Sequence, residues 1–176
     1  GAVQTSAGRL GKAWSFDGVN DYINILNADS LNMSGKPGFS VSTWVYTNAP
    51  TDSSIDIVTG GPIDMFESSN GGNQFRVVLK NSTGSTSSEV RASSVDRGVW
   101  QQLAFTFVQS SGNLTLYKNG AVVSSVIRQA SEGLFSYGTN PYYIGIRETA
   151  RHWNGSIDDV MIFNRALTTA EIQSLY

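Results

Sequence analysis

Leu103-Ala104-Phe105-Thr106-Phe107 is followed by the break Ser110-Ser111-Gly112-Asn113, then by Leu114-Thr115-Leu116-Tyr117, Asn119-Gly120 and Ala121-Val122-Val123. Leu103, Phe105 and Phe107 occupy one side of a period-2 alternation, the mark of a half-buried strand. Asn-Gly tolerates the positive φ of a type I′ turn, so the stretch on either side of it reads as a tight hairpin. The same pattern recurs towards both ends. Ser40-Val41-Ser42-Thr43-Trp44-Val45-Tyr46 alternates small polar, β-branched and aromatic residues. Gln74-Phe75-Arg76-Val77-Val78-Leu79 puts Phe75, Val77 and Leu79 on one face and Arg76 on the other. Asn48-Ala49-Pro50, Gly60-Gly61-Pro62 and Asn70-Gly71-Gly72-Asn73 punctuate the runs, and the Ser/Thr-rich residues 82–88 read as a long loop. Only the C-terminus reads as helix: Thr168-Thr169-Ala170-Glu171 matches a capping box, with Ile172 and Leu175 as apolar anchors. Short strands without interleaved helices imply an all-β, two-sheet sandwich with a short C-terminal helix.

Composition narrows the function classes. The 176 residues carry a net charge of −2 and only 15% charged side chains, against about 25% in an average globular protein. No stretch concentrates Lys or Arg, which argues against nucleic acid or anionic lipid as a partner. With no cysteine and one histidine, His152, the chain has no disulfide scaffold, thiol nucleophile, thiolate zinc site or HExxH motif. No apolar run approaches the about 20 residues of a membrane-spanning helix, so no membrane insertion is expected. The absence of a linker or repeat favours a single domain over residues 1–176. The abrupt start at Gly1 suggests a piece of a longer polypeptide with any export signal upstream. Low charge, many Ser, Thr, Asn and Gly residues and no cysteine suit an extracellular or cell-surface module, and the same features are compatible with a cytosolic one.

Four blocks in order resemble the laminin-G-like, concanavalin A-like jelly-roll domains. Trp14-Ser15-Phe16-Asp17-Gly18-Val19-Asn20-Asp21-Tyr22-Ile23 is similar to their opening strand pair. Phe39 to Val45 resembles their Phe-Thr-Ile-Ser-x-Trp-Val strand. Trp100-Gln101-Gln102-Leu103-Ala104 with Leu116-Tyr117-Lys118-Asn119-Gly120 resembles a Trp-x-His-Val-Ala and Leu-Tyr-Val-Asn-Gly pair, Gln102 standing where the family has histidine. That exchange is expected to matter little to the fold. Trp153-Asn154-Gly155-Ser156-Ile157-Asp158-Asp159-Val160, Asn164-Arg165-Ala166-Leu167 and Ala170-Glu171-Ile172 resemble the closing strand and helix. The resemblance implies a jelly roll of two curved antiparallel sheets, with first and last strands adjacent. It leaves function open, because this fold carries sugar-binding modules, adhesion domains and glycoside hydrolases.

Three constellations bear on chemistry. Asp17 and Asp21 share a Gly-containing turn, and the resemblance matches Asp158 to a closing-strand aspartate that binds a structural calcium. Asp17, Asp21 and Asp158 are therefore the expected calcium ligands, the alternative being that Asp17 and Asp21 cap turn amides and the closing pair Asp158 and Asp159 is solvated. Ile63-Asp64-Met65-Phe66-Glu67 resembles the Glu-Ile-Asp-x-x-Glu strand of laminarinase-type hydrolases, but Pro62 replaces the nucleophile. A retaining glycosidase needs two carboxyls about 5–5.5 Å apart, so no catalysis is expected, and Asp64 and Glu67 read as loop or edge residues. His152 reads as an inert surface residue. Trp14, Trp44, Trp100 and Trp153 are expected in the core, Trp153 being the best candidate for partial exposure. Tyr46, Tyr137, Tyr142 and Tyr143 are candidates for a sugar-facing surface.

The expected function is a non-catalytic carbohydrate-binding module that takes a glycan or polysaccharide on a concave sheet face. Tyr46, Arg76 and Gln102 are its expected ligand contacts, although Arg76 taken alone reads more readily as a solvated charge. An adhesion domain of laminin-G type with a protein partner is the second reading, and a glycoside hydrolase the third.

Overall fold

A computed structural model describes residues 1–26, 29–33, 35–50, 54–68, 74–81, 85–92, 95–128, 141–147 and 151–176. Thirteen strands are described: β1 (Val3–Thr5), β2 (Ala13–Asp17), β3 (Ile23–Ile25), β4 (Gly38–Thr47), β5 (Ile55–Gly60), β6 (Ile63–Ser68), β7 (Gln74–Lys80), β8 (Thr86–Ala92), β9 (Gln101–Val108), β10 (Asn113–Lys118), β11 (Ala121–Ile127), β12 (Tyr142–Ile144) and β13 (Asn154–Phe163). One helix, α1 (Thr169–Leu175), follows. The strands form two antiparallel sheets, ordered β1-β2-β13-β4-β9-β10-β11 and β3-β12-β5-β6-β7-β8. The final strand β13 pairs with β2 and β4, while β1 sits one place further out, at the edge. Among the described residues no helix is long and apolar enough to cross a membrane.

Alternation builds the core. Phe39, Val41 and Val45 of β4, with Leu103, Phe105 and Phe107 of β9, pack with Ile57, Met65, Phe75, Val77 and Leu79 of the other sheet. Removing each such side chain from water is worth about 1.5–3 kcal/mol. The Asn-Gly hairpin joins β10 to β11 with φ of 51° at Asn119 and 74° at Gly120, as a type I′ turn requires.

Outside the seven-stranded sheet lies a second apolar cluster of Ala104, Tyr117, Leu167 and Ile172, packed by Phe163 and Leu175. It holds α1 against that face. Thr168 and Glu171 close the capping box from both sides. Tyr176 stacks on Trp44 at 5.6 Å and 19°, and the Arg9 guanidinium lies 4.7 Å from the same Trp44 ring centre. This face is therefore largely covered.

Several expectations need correction. Residues 86–88 belong to β8 rather than to a loop, because Ser88 pairs with Leu79 in the ladder and is buried there. Asp64 and Glu67 are neither loop nor edge residues, since β6 pairs with β5 on one side and β7 on the other. Trp153 is completely buried and Trp44 nearly so, whereas Trp14 is 42% exposed and Trp100 half-buried. Trp14 pairs with Ile157 on the inner side of the sheet, at an open edge of the sandwich where it lines a cleft with Phe16 and Ile23.

Candidate functional site

The six-stranded sheet presents a different outer face. Register places Asn24, Tyr143, Thr59 and Asp64 side by side across β3, β12, β5 and β6. Their chain neighbours Ile23, Ile144, Val58 and Met65 belong to the core side, so the period of two sends this row outward. A cleft of about 820 Å³ opens over it. Val19, Asn20 and Tyr22 of the turn after β2 form one wall, and Arg147 and His152 form another.

Each wall has a local cause. Asp17 Oδ1 accepts from the Val19 and Asn20 amides at 2.8 and 3.2 Å, setting the turn that carries Tyr22. Those amides hold the Asp17 carboxyl below the usual range. Tyr22 meets Tyr143 edge to face with ring centres 6.2 Å apart. The Thr59 hydroxyl donates to the Ile146 carbonyl at 2.8 Å, which fixes the start of the Arg147 segment. Buried Asp64 receives Lys80 Nζ at 2.9 Å and Arg147 Nη2 at 3.3 Å, both on Oδ2. At the β5–β6 turn Gly61 has φ of 50°, and a Cβ there would come 2.6 Å from the Tyr142 hydroxyl. The Tyr142 hydroxyl instead donates to the Leu31 carbonyl, and burial pushes it up to about 12.

The next row on the same face holds Asp56, Phe66, Arg76 and Arg91. Arg76 lies 5.1 Å and Arg151 5.7 Å from the Phe66 ring centre, and Arg76 pairs with Glu89. Asp56 is completely buried, and neither carboxylate oxygen has a hydrogen-bond partner among the described residues. Burial pushes its carboxyl up to about 7 against the pull of Arg151 and Arg147.

The three residues expected to bind ligand do not converge. Arg76 lies on the six-stranded sheet, Tyr46 and Gln102 on the seven-stranded one. Tyr46 packs its ring 5.8 Å from that of Trp100. Gln102 is completely buried: its amide nitrogen donates to Ser42 Oγ at 3.2 Å, and its oxygen accepts from the Gly120 amide at 3.1 Å. This glutamine ties the Asn119-Gly120 hairpin to β9. Tyr142 is buried, Tyr143 lines the cleft, and Tyr137 lies outside the described residues.

Nor are the three expected calcium ligands brought together. Asp21 accepts from the Asp17 amide at 3.0 Å and meets the Gly1 ammonium at 3.0 Å. Asp158 sits four residues along β13 from Asn154, the partner of Asp17, and accepts from the Arg9 and Asp159 amides at 3.0 and 2.9 Å. Among the described residues no three acidic or histidine side chains group as metal ligands.

Residues 17–173 match the sequence profile of the concanavalin A-like lectin/glucanases superfamily. The chain belongs to that superfamily. No curated protein matches the chain by sequence. Among solved structures it is similar to domain 4 of AbnA, a GH43 extracellular arabinanase from Geobacillus stearothermophilus, in complex with arabinotriose. The identity is 20% over 99% of this chain and 81% of that one, with a TM-score of 0.73. It is similar to the Ruminococcus gnavus IT-sialidase CBM40 bound to α2,3 sialyllactose, at 14% identity over 88% and 96% of the two chains and a TM-score of 0.61. It also resembles the binding domain of botulinum neurotoxin serotype G, at 16% identity over 100% of this chain but 44% of that one, with a TM-score of 0.75.

Within this lectin/glucanase fold, β6 shows why the hydrolase-like motif fails as a carboxylate pair. Its register with β7 is unbroken from Ile63 to Ser68, so Asp64 and Glu67, three residues apart, point to opposite faces. Glu67 is buried on the inner side, gripped by Arg97 through both carboxylate oxygens. Tyr22, Asn24, Thr59, Lys80 and Arg147 went unread in the sequence as site residues. Only Asn24 carried a signal, as the polar centre of Ile23-Asn24-Ile25. His152, read as inert, lines the cleft with its Nδ1 buried and without a hydrogen-bond partner among the described residues.

Proposed function

We propose that this chain is a non-catalytic carbohydrate-binding domain of an extracellular or cell-surface protein, taking its glycan in the cleft over β3, β12, β5 and β6. The observation that carries this reading is the cleft itself. It combines about 820 Å³ of space with the Tyr22–Tyr143 pair and a row of hydrogen-bonding side chains. Aromatic faces beside fixed polar groups are what a sugar ring needs, since it offers C–H faces and a rim of hydroxyls. The arabinotriose and sialyllactose named for the similar structures support the same ligand class. The separation of Asp64 and Glu67 onto opposite faces supports a binding rather than hydrolytic role. Arg76 remains a candidate contact at the margin of this face, whereas Tyr46 and Gln102 lie on the other sheet.

A glycan array on the isolated chain, followed by calorimetric titration of the hits, tests the reading. Tyr143→Ala should weaken binding at least about tenfold and leave the melting temperature nearly unchanged. A broad array without a hit overturns it. Calcium enters as a narrower proposal confined to the Asp17/Asp21 turn with backbone carbonyls as further donors. An ion there raises the melting temperature relative to chelator, and superimposable curves remove it. One observation favours protein binding instead: edge strand β11 exposes Val122, Val123 and Ile127 at 51%, 41% and 73%.

A further inference from the structure

The cleft is polar in an unequal way. Its floor holds one carboxylate, Asp64, and two cations, Lys80 and Arg147. Both cations meet the same oxygen, Asp64 Oδ2, at 2.9 and 3.3 Å. Within the lining one carboxylate therefore meets two cations, and the other acid in their electrostatic reach, Asp56 in the next row of the sheet, is buried and makes no hydrogen bond to either. Arg147 commits only Nη2, leaving Nε and Nη1 without a partner among the described residues, and its side chain is 29% exposed. The Lys80 side chain is 25% exposed. His152, in the same cleft, adds a buried Nδ1 with no hydrogen-bond partner among the described residues. A neutral sugar would leave this surplus charge to water. A ligand carboxylate would accept charge-assisted hydrogen bonds from the Arg147 fork and the Lys80 ammonium.

We infer that the cleft selects glycans bearing a carboxylate on the sugar ring, with Arg147 and Lys80 receiving the acid group and Tyr143 the ring face. The inference rests on the carbohydrate-binding reading of this site and deepens it. The spacing agrees: Tyr143 and Asp64 are two strands apart in the same row, about 10 Å at the usual strand separation. That distance fits one or two sugar rings between the aromatic wall and the cationic end. Asp64 has a clear part as the buried anchor that positions both cations.

The test titrates the intact chain with three probes: trigalacturonate, its fully methyl-esterified form, and galactotriose. An array of neutral and acidic glycans is run alongside. The acid should bind at least about tenfold more tightly than the ester, and its affinity should fall as ionic strength rises. Arg147→Gln should bring the acid down to the level of the ester, and Lys80→Gln should do so in part. Circular dichroism of each variant confirms folding, and either variant alone suffices. Equal binding of acid and ester, or array hits confined to neutral glycans, overturns the acidic preference while the carbohydrate-binding reading stands. Hits that are acidic but not galacturonate support the preference, because a ring carboxylate is the shared chemistry. No hit of either kind overturns the carbohydrate-binding reading, and the inference with it.

Discussion

Asp56 is completely buried, with no hydrogen-bond partner for its carboxylate among the described residues, and its carboxyl is pushed up to about 7 by burial. The folded chain keeps this proton to about pH 7, whereas the unfolded chain releases it near the ordinary value of 3.8. The resulting stability is fully present below the unfolded value and is lost as pH rises through the folded one. The loss amounts to at most about 4 kcal/mol. Denaturant melts from pH 4 to 8 should show this decline, and Asp56→Asn should flatten it and be the more stable protein at pH 8. Glu67 is likewise raised by burial, but unlike Asp56 it is hydrogen-bonded, by Arg97, which opposes the rise. Arg97→Ala should cost about 3 kcal/mol, read by the same melts, because it leaves a buried charge alone. Neither partnership was legible in the sequence. Ile55-Asp56-Ile57 reads as an ordinary alternation whose polar member faces water, and nothing near it points to Arg151.

Elements were legible where local chemistry fixed them. Asn119-Gly120 specifies its hairpin through backbone preference alone, and Thr168 with Glu171 specifies the start of α1. Residues 86–88 were not legible as strand, because a stretch of Ser and Thr with one face to solvent carries no apolar period. β3 and β12 are three residues each, too short to show one. Gln102 illustrates the remaining gap. Its alternation with Leu103 correctly assigns it outward, but outward here means beneath the hairpin rather than towards a ligand. Gln102→Ala should therefore cost about 1–3 kcal/mol by leaving the Gly120 amide unpaired, with no effect on glycan affinity. Ile172→Ala, which empties the contact between α1 and Ala104 and Tyr117, should cost about 2–5 kcal/mol in chemical denaturation.

At the scale of the whole molecule, the two sheets divide the labour. The seven-stranded sheet is closed on its outside by α1, Tyr176 and Arg9. The six-stranded sheet keeps its outer face open as the cleft. The sandwich itself was legible from alternation, and its jelly-roll topology from the order of motif blocks. Which outer face is available was not, because it depends on where a seven-residue helix docks and on the pairing of β12 with both β3 and β5. A backbone amide NMR titration with the tightest oligosaccharide from the array tests this division directly. Shifts should concentrate at Tyr22, Asn24, Thr59, Tyr143 and Arg147, with β4 and β9 unmoved. Shifts centred on Ser42, Trp44 and Tyr46 would contradict it and put the ligand on the sheet covered by α1.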